Sequence, residues 1–201
     1  MTTTISGSTG INKIQDGTIT NADLSATARG KIQQIKTTIA KNLVSINSSS
    51  MVEISSAYRV SITPIVAGNT IKVDVALPFN ASGIGSNTIM VLFDVKRSTD
   101  NRSSWSYVTG SGYGDGNLGS RWPVAVGATR RSNGHDSNDM NILNFSILDS
   151  PNTTGACIYS CFVKQETSGT GNILFAHSLG NNTNWGWMTP MTMTAYEMEV
   201  S

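Results

Sequence analysis

From about residue 50 onward, apolar and polar positions alternate with the period of a pleated strand. "MVEISSAYRVSITPI" spaces Val52 from Ile54, and Val60 from Ile62, by two; "NTIKVDVALP" does the same with Ile71, Val73 and Val75. A period of two sends every second side chain to one face of a sheet. "NTIMVLFDVKRS" replaces alternation with an apolar run, which predicts a strand covered on both sides. Further candidates are "SSWSYVTG", "WPVAVGAT", "MNILNFSILDS", "GACIYSCFVKQE", "GNILFAHS" and "MTMTAYEMEV", the last ending at Val200. Segments such as "NASGIGS" and "STDNRSS" supply turn residues between them. About ten short strands with turn signals between them indicate an all-β sandwich or barrel. No internal repeat of the solenoid kind is present, and no apolar run approaches the roughly 20 residues that cross a bilayer.

The first 46 residues read differently. In "IQQIKTTIAKNLVSI", Ile32, Ile35 and Ile39 fit the a/d spacing of a coiled coil, where isoleucine favours trimers, yet Ile35, Thr37, Ile39, Lys41 and Leu43 also fit a strand. The β-branched content and the lack of three heptads favour the strand. Residues 1–31 carry Asp16-Gly17, a turn pair, and Asn21 or Asp23 as an N-cap for a short helix over "ADLSATARGK". Their apolar residues, Ile11, Ile14, Ile19 and Leu24, are too sparse for a self-contained core and suit an arm laid on a neighbouring chain. The expected organisation is an anchoring or assembly arm, 1–31, and a β-domain, 32–201.

Composition sharpens this picture. Charged residues are 13%, half the usual quarter of a globular domain, and Ser, Thr, Asn and Gly fill the gap. A formal net charge of +1, with basic pairs only at Lys96-Arg97 and Arg130-Arg131, gives no clustered face for nucleic acid. "MTTTISGSTG" lacks the charged and apolar regions of a signal peptide, so synthesis in a reducing cytoplasm is expected. Cys157 and Cys161, four apart, would share one strand face about 13 Å apart, too far for a disulfide. They read as buried free thiols.

Candidate chemistry is thin. His135, Asp136 and Asp139 cluster in "RRSNGHDSNDMN" around an Asn-Gly turn, with no nucleophile motif beside them. His177 sits at a strand end, and the two histidines and two cysteines lack zinc spacing. The glycine-rich "GSGYGDGNLGS" lacks the Gly-Lys-Ser/Thr ending of a phosphate loop and reads as a surface loop. Glu197 and Glu199, about 7 Å apart on one strand face, test for a glycosidase pair but read as a solvated edge. No enzyme, metal or cofactor is expected. The aromatic set is more informative: Trp105 and Tyr107 share a strand face, Tyr113 lies in the glycine loop, and Trp122 follows it. Flat rings beside amides and arginine form a platform for sugar C–H faces; the competing use is packing, which the Trp185/Trp187 pair fits better.

The head "SGSTGINKIQDGTITNADLS" resembles N-terminal segments of structural proteins in tailed bacteriophages, notably those of cyanobacteria and marine bacteria. The remainder is similar to their C-terminal domains at "KIQQI" opening the first strand, "YRVSITPIVAGNTIKVDVAL" and "NFSILDSPNTTGACIYSCFV" as two hairpins, and "MTAYEMEV" at the close. The resemblance implies a homotrimer with a jelly-roll-like β-sandwich head. It also implies a place in the virion, with arm 1–31 docked on other capsid or tail proteins. A short fibre or knob that attaches to host surface glycan is the reading favoured, with loops 99–121 and 128–139 as contact sites; a capsid cement or decoration protein is the alternative. Neither reading involves membrane insertion.

Overall fold

The computed structural model describes residues 32–82, 89–108, 127–131, 140–165, 171–176 and 189–199, with backbone alone at 81–82, 89–90 and 127–131. The chain divides after Lys31 into two units, and all of these residues belong to the second. Its strands, in chain order, are β1 (Ile32–Ala40), β2 (Val44–Ile46), β3 (Val52–Glu53), β4 (Arg59–Ile62), β5 (Thr70–Ser82) and β6 (Ile89–Ser98). There follow β7 (Ser106–Tyr107), β8 (Gly127–Arg131), β9 (Asn141–Asp149), β10 (Cys157–Gln165), β11 (Asn172–Phe175) and β12 (Met191–Met198). Residues 32–46 therefore form two strands, β1 and β2, rather than a coiled-coil helix.

Several of these strands are halves of one row. β1 and β2 run end to end against β12 and β11, and both of those lie beside β5. The first sheet, sheet A, thus has four rows: β1/β2, β12/β11, β5 and β9. Sheet B has β3/β4, β10, β6 and β7/β8. Every pairing is antiparallel. Counted along the chain, the first row pairs with the last, the second with the seventh, the third with the sixth and the fourth with the fifth. That is one long hairpin rolled up on itself, the jelly roll, and it makes the fold all-β as expected.

The winding corrects two readings. "YRVSITPIVAGNTIKVDVAL" spans β4 in sheet B and β5 in sheet A, and "NFSILDSPNTTGACIYSCFV" spans β9 in sheet A and β10 in sheet B. Both are crossovers between sheets, not hairpins. Likewise "MVEISSAYRVSITPI" is not one strand: the Ser55 hydroxyl accepts the Ala57 N–H at 3.2 Å and caps a 3-10 turn over Ser56–Tyr58 that separates β3 from β4. Pro78 lies within β5 where the neighbouring row changes from β12 to β11, the position in a central strand where a missing N–H donor does least harm.

Inward-facing positions fill the space between the sheets. Ile71, Val73, Val75 and Leu77 of β5 and Met191, Met193 and Ala195 of β12 are buried on one side. Phe93, Val95, Tyr159 and Val163 answer from the other. Phe93 bridges the sheets: its ring lies 5.0 Å from Phe79 and 6.3 Å from Phe175, tilted and edge-on. Cys157 and Cys161 are buried, free and on this inner face. At one end of the core, Asp149 of β9 accepts hydrogen bonds from Arg97 of β6 at 2.6 Å and from the Tyr159 hydroxyl at 2.7 Å. A fully buried carboxylate thereby ties sheet A to sheet B, its charge balanced by the guanidinium.

Glu197 is the second correction of consequence. It is not on a solvated edge: β12 lies between β1 and β5, and Glu197 points inward and is fully buried. Its Oε1 accepts the backbone N–H groups of Ile65 at 2.8 Å and Val66 at 3.1 Å and the Asn69 amide at 2.8 Å. Its Oε2 accepts from Gln34 of β1 at 2.6 Å. Burial pushes the carboxyl pKa up, but the bonds from Gln34, Ile65, Asn69 and Val66 outweigh it and hold the group below the ordinary value of 4.5. Glu199, its supposed partner, accepts instead from Gln33 at 3.0 Å.

Two outcomes follow. Phe93→Ala should lower unfolding stability by about 3–5 kcal/mol, read from urea midpoints, because it empties the centre of the aromatic bridge. Glu197→Gln should cost about 2–4 kcal/mol at pH 7 by leaving buried N–H groups facing an amide. Because the folded pKa is depressed, the wild-type contribution is present above pH 4.5 and lost as pH falls through the folded value. The gap between wild type and variant should close in acid, and a gap constant from pH 3 to pH 7 would contradict the assignment.

Candidate functional site

The outer face of sheet B carries the residues with recognition chemistry. Register sets them in two rows. Arg59, Ser160, Lys96 and Tyr107 lie side by side across β4, β10, β6 and β7, and Glu53, Phe162 and Asp94 lie side by side across β3, β10 and β6. Directly opposed residues in an antiparallel ladder share a face, so these side chains all project away from the core.

Trp105, just before β7, is placed by a tight turn. Asp100 accepts from the Ser98 hydroxyl at 2.7 Å and from the Ser104 hydroxyl and N–H at 2.6 and 3.0 Å. These bonds, that of the Ser104 hydroxyl first, lower the Asp100 pKa to about 2. Asn101 and Arg102 both adopt positive φ, 54° and 77°, within this turn. Chain reversal there lays the Trp105 ring edge-on against Phe162, centroids 5.3 Å apart, with the Arg59 guanidinium 5.4 Å from the indole centroid.

Charge is distributed unevenly over this platform. Arg59 grips Glu53 in a two-pronged contact, both bonds 2.6 Å, and Ser160 donates to the same carboxylate at 2.6 Å. Burial raises the Glu53 pKa, but these bonds, with the charges of Arg59 and Arg102, leave it lowered. Lys96 differs: its ammonium sits 4.5 Å from the Tyr107 centroid and 4.8 Å from that of Phe162. Two aromatic faces thus hold a cation beside an exposed phenol ring. Tyr107 is 44% exposed and Trp105 half-buried.

Next to Phe162 in its row lies Asp94, fully buried. One oxygen accepts the Val95 N–H at 2.7 Å; the other, Oδ2, has no hydrogen-bond partner. Burial pushes this carboxyl up to about 7, against the pull of the Val95 N–H and the Lys96 charge. The apolar run of β6 does have cover on both sides, as expected: Leu92, on the same outward face as Asp94, is buried too.

Of the aromatic candidates, the structure brings Trp105 and Tyr107 together. Tyr113 and Trp122 lie outside the described residues, as do the arm positions Ile11, Ile14, Ile19 and Leu24. The same holds for His135, Asp136, Asp139, His177, Trp185 and Trp187. Lys96, Phe162, Arg59 and Glu53 were not anticipated as site residues. Phe162 had a readable signal, since the alternation that sends Cys157, Tyr159 and Cys161 inward sends Phe162 outward. Among the described residues no group of three acidic, histidine or cysteine side chains is placed to hold a metal ion, and no helix is long and apolar enough to cross a membrane.

No family model matches the chain and no curated protein matches its sequence. Among solved structures it is similar to the Eiger TNF of S. frugiperda, at 8% identity and a TM-score of 0.39, over 83% of this chain and 93% of that one. It is similar also to the VP2 subviral particle of infectious bursal disease virus, at 14% identity and 0.32, over 84% of this chain and 37% of that one. A mutant VP2 of the same virus in T=1 particles gives 12% and 0.34, over 94% and 40%. The alignment spans about two fifths of the VP2 chains. At these scores the assignment to the jelly roll rests on strand order, not on the likeness.

The buried carboxylate sets an outcome for stability. With a folded pKa raised to about 7 from the ordinary 3.8, Asp94 destabilises the fold progressively as pH rises from 4 to 7. Asp94→Asn removes that slope. Its stability relative to wild type should rise over this interval and level off above pH 7, as read from urea midpoints at pH 4.5, 6 and 8.

Proposed function

We propose that this chain is a structural protein of a tailed-phage virion, a short trimeric fibre or knob whose head domain binds glycan on the host surface. In this reading arm 1–31 docks on other capsid or tail proteins, and the protein is not an enzyme. The observation that carries the attachment role is the outer face of sheet B, where Trp105 and the exposed Tyr107 stand beside Lys96 and Arg59 on a rigid, register-locked ladder. Aromatic faces stack on sugar C–H groups while the flanking cations and hydroxyls meet the ring substituents. Support for the virion setting comes from the resemblance at both ends of the chain and from the jelly-roll architecture. Of the two acids that invited a glycosidase reading, Glu197 spends its lone pairs on the fold and Glu199 accepts from Gln33.

The test is binding of the full chain to host cells and to an array of bacterial surface polysaccharides. Wild type should bind, and Trp105→Ala and Tyr107→Ala should each weaken binding at least tenfold while circular dichroism stays unchanged. Absence of any cell or glycan binding, with particles lacking the protein bursting more readily under osmotic shock, would replace this reading by that of a capsid cement.

A further inference from the structure

The cations on the outer face of sheet B are not equivalent. Glu53 closes off the Arg59 guanidinium through two bonds of 2.6 Å, so at the β4 end of the platform positive and negative charge cancel. Arg102 belongs to the exposed turn: its Nε donates to the Asn101 carbonyl at 3.2 Å, and its charge acts on Glu53. Lys164 lies across from Leu92, two rows from Tyr107. Lys96 is the cation directly across from Tyr107, the exposed ring.

The surroundings of that cation are aromatic. Its ammonium lies 4.5 Å from the Tyr107 centroid and 4.8 Å from that of Phe162. Among the described residues no hydrogen bond or ion pair of Lys96 accompanies these ring contacts. Ring faces attract the charge but offer no lone pair in the plane of a carbonyl or carboxylate, so the three N–H donors take their acceptors from solvent or from a ligand. The acid on the same strand is Asp94, two residues back and roughly 7 Å along the same face. It is fully buried, and burial pushes its carboxyl up to about 7, so below neutral pH it supplies little countercharge.

The platform is thus balanced at its β4 end and positive beside Tyr107. Such a surface is complementary to a ligand that joins an apolar face to a single anionic group. Among saccharides these are the acidic sugars. A carboxylate gathers its charge on two oxygens and is a stronger acceptor for an ammonium than a sulfate ester, which spreads the same charge over three. We propose that the outer face of sheet B is selective for acidic glycans, with Lys96 taking the carboxylate of a uronic-acid residue while Tyr107 and Trp105 take the C–H surfaces of the chain. This rests on the glycan-binding reading above and adds the class of sugar and the residue that selects it. Arg59, whose charge Glu53 already meets, positions the Trp105 ring rather than the ligand.

The full chain is titrated against polygalacturonate, against the same polymer with its carboxyls reduced to primary alcohols, and against dextran sulfate as a second polyanion. Wild type should bind polygalacturonate about tenfold or more tightly than the reduced polymer, the scale of one hydrogen-bonded charge. Dextran sulfate should be bound more weakly than polygalacturonate. Lys96→Gln should abolish the preference for the acidic polymer, with unchanged circular dichroism, whereas Trp105→Ala should weaken binding to both the native and the reduced polymer. Equal affinity of wild type for those two polymers, or a preference that survives Lys96→Gln, overturns the assignment. So does dextran sulfate bound as tightly as polygalacturonate, because undirected attraction between charges would then account for the binding. Wild type that binds host cells but prefers neutral glycans overturns the acid selectivity and leaves the glycan reading standing; absence of binding to cells and to every polymer overturns both.

Discussion

One buried carboxylate holds the ends of the winding together. Glu197 of the last strand takes a hydrogen bond from Gln34 of the first strand and three more from the segment between β4 and β5. In a jelly roll the first and last rows pair with each other, so the outermost turn of the roll closes only when residues more than 160 positions apart meet. Nothing local nucleates that contact, and its loop-closure entropy must be offset by bonds made at the end. Charge-assisted bonds in a dry site are the strong kind, and here four converge on one side chain. The inward alternation Met191, Met193, Ala195 delivers Glu197 to the same face, so the strand that completes the core also carries its latch.

Three further layers depend on that closure. The space between the sheets is filled at alternating positions, with Phe93 reaching from sheet B to Phe79 and Phe175 in sheet A. Asp149, Arg97 and Tyr159 fasten the sheets at the same end of β5, where Asp149 and Glu197 flank Ile71 on its two sides. Outside the core, sheet B is overlaid by aromatic rings and cations set at fixed register. Asp94 lies next to Phe162 in this layer as a cost: a carboxylate shut away with one oxygen unmatched. Such a residue destabilises the fold while leaving the ladder intact.

Strand positions were legible from period two, and so were the paired cysteines on an inner face and the doubly covered β6. The choice of partner was not. A crossover between sheets and a hairpin within one sheet share the same alternation and the same turn residues, so β4–β5 and β9–β10 read as hairpins when both change sheets. Alternation also fails to say which side is in: Ile35 and Ile39 face outward on β1, whereas Val73 and Val75 on β5 face inward. Glu197 was misjudged because a glutamate in a strand has no local sign of the donors, some 130 residues away, that take it out of solvent. At the aromatic site Trp105 and Tyr107 were visible as residue types. Lys96 and Phe162 were not, because their role comes from cross-strand register, which no short window contains.

The two outer faces differ in chemistry: that of sheet A carries exposed aliphatic residues on its edge rows, and that of sheet B carries aromatic rings and cations. Under the proposed function, three linked copies of a weak site would bind a repetitive polysaccharide far more tightly than a single site, without any new contact, provided their spacing suited the target. Weak aromatic stacking then suffices, and a shallow, solvent-washed platform of half-exposed rings replaces a deep pocket. The ion pairs formed by the described residues include Arg59–Glu53, Arg97–Asp149 and Lys72–Asp74, whereas Lys96 is held between two rings. A cation so placed would meet an acidic or hydroxyl-rich ligand in the proposed attachment role.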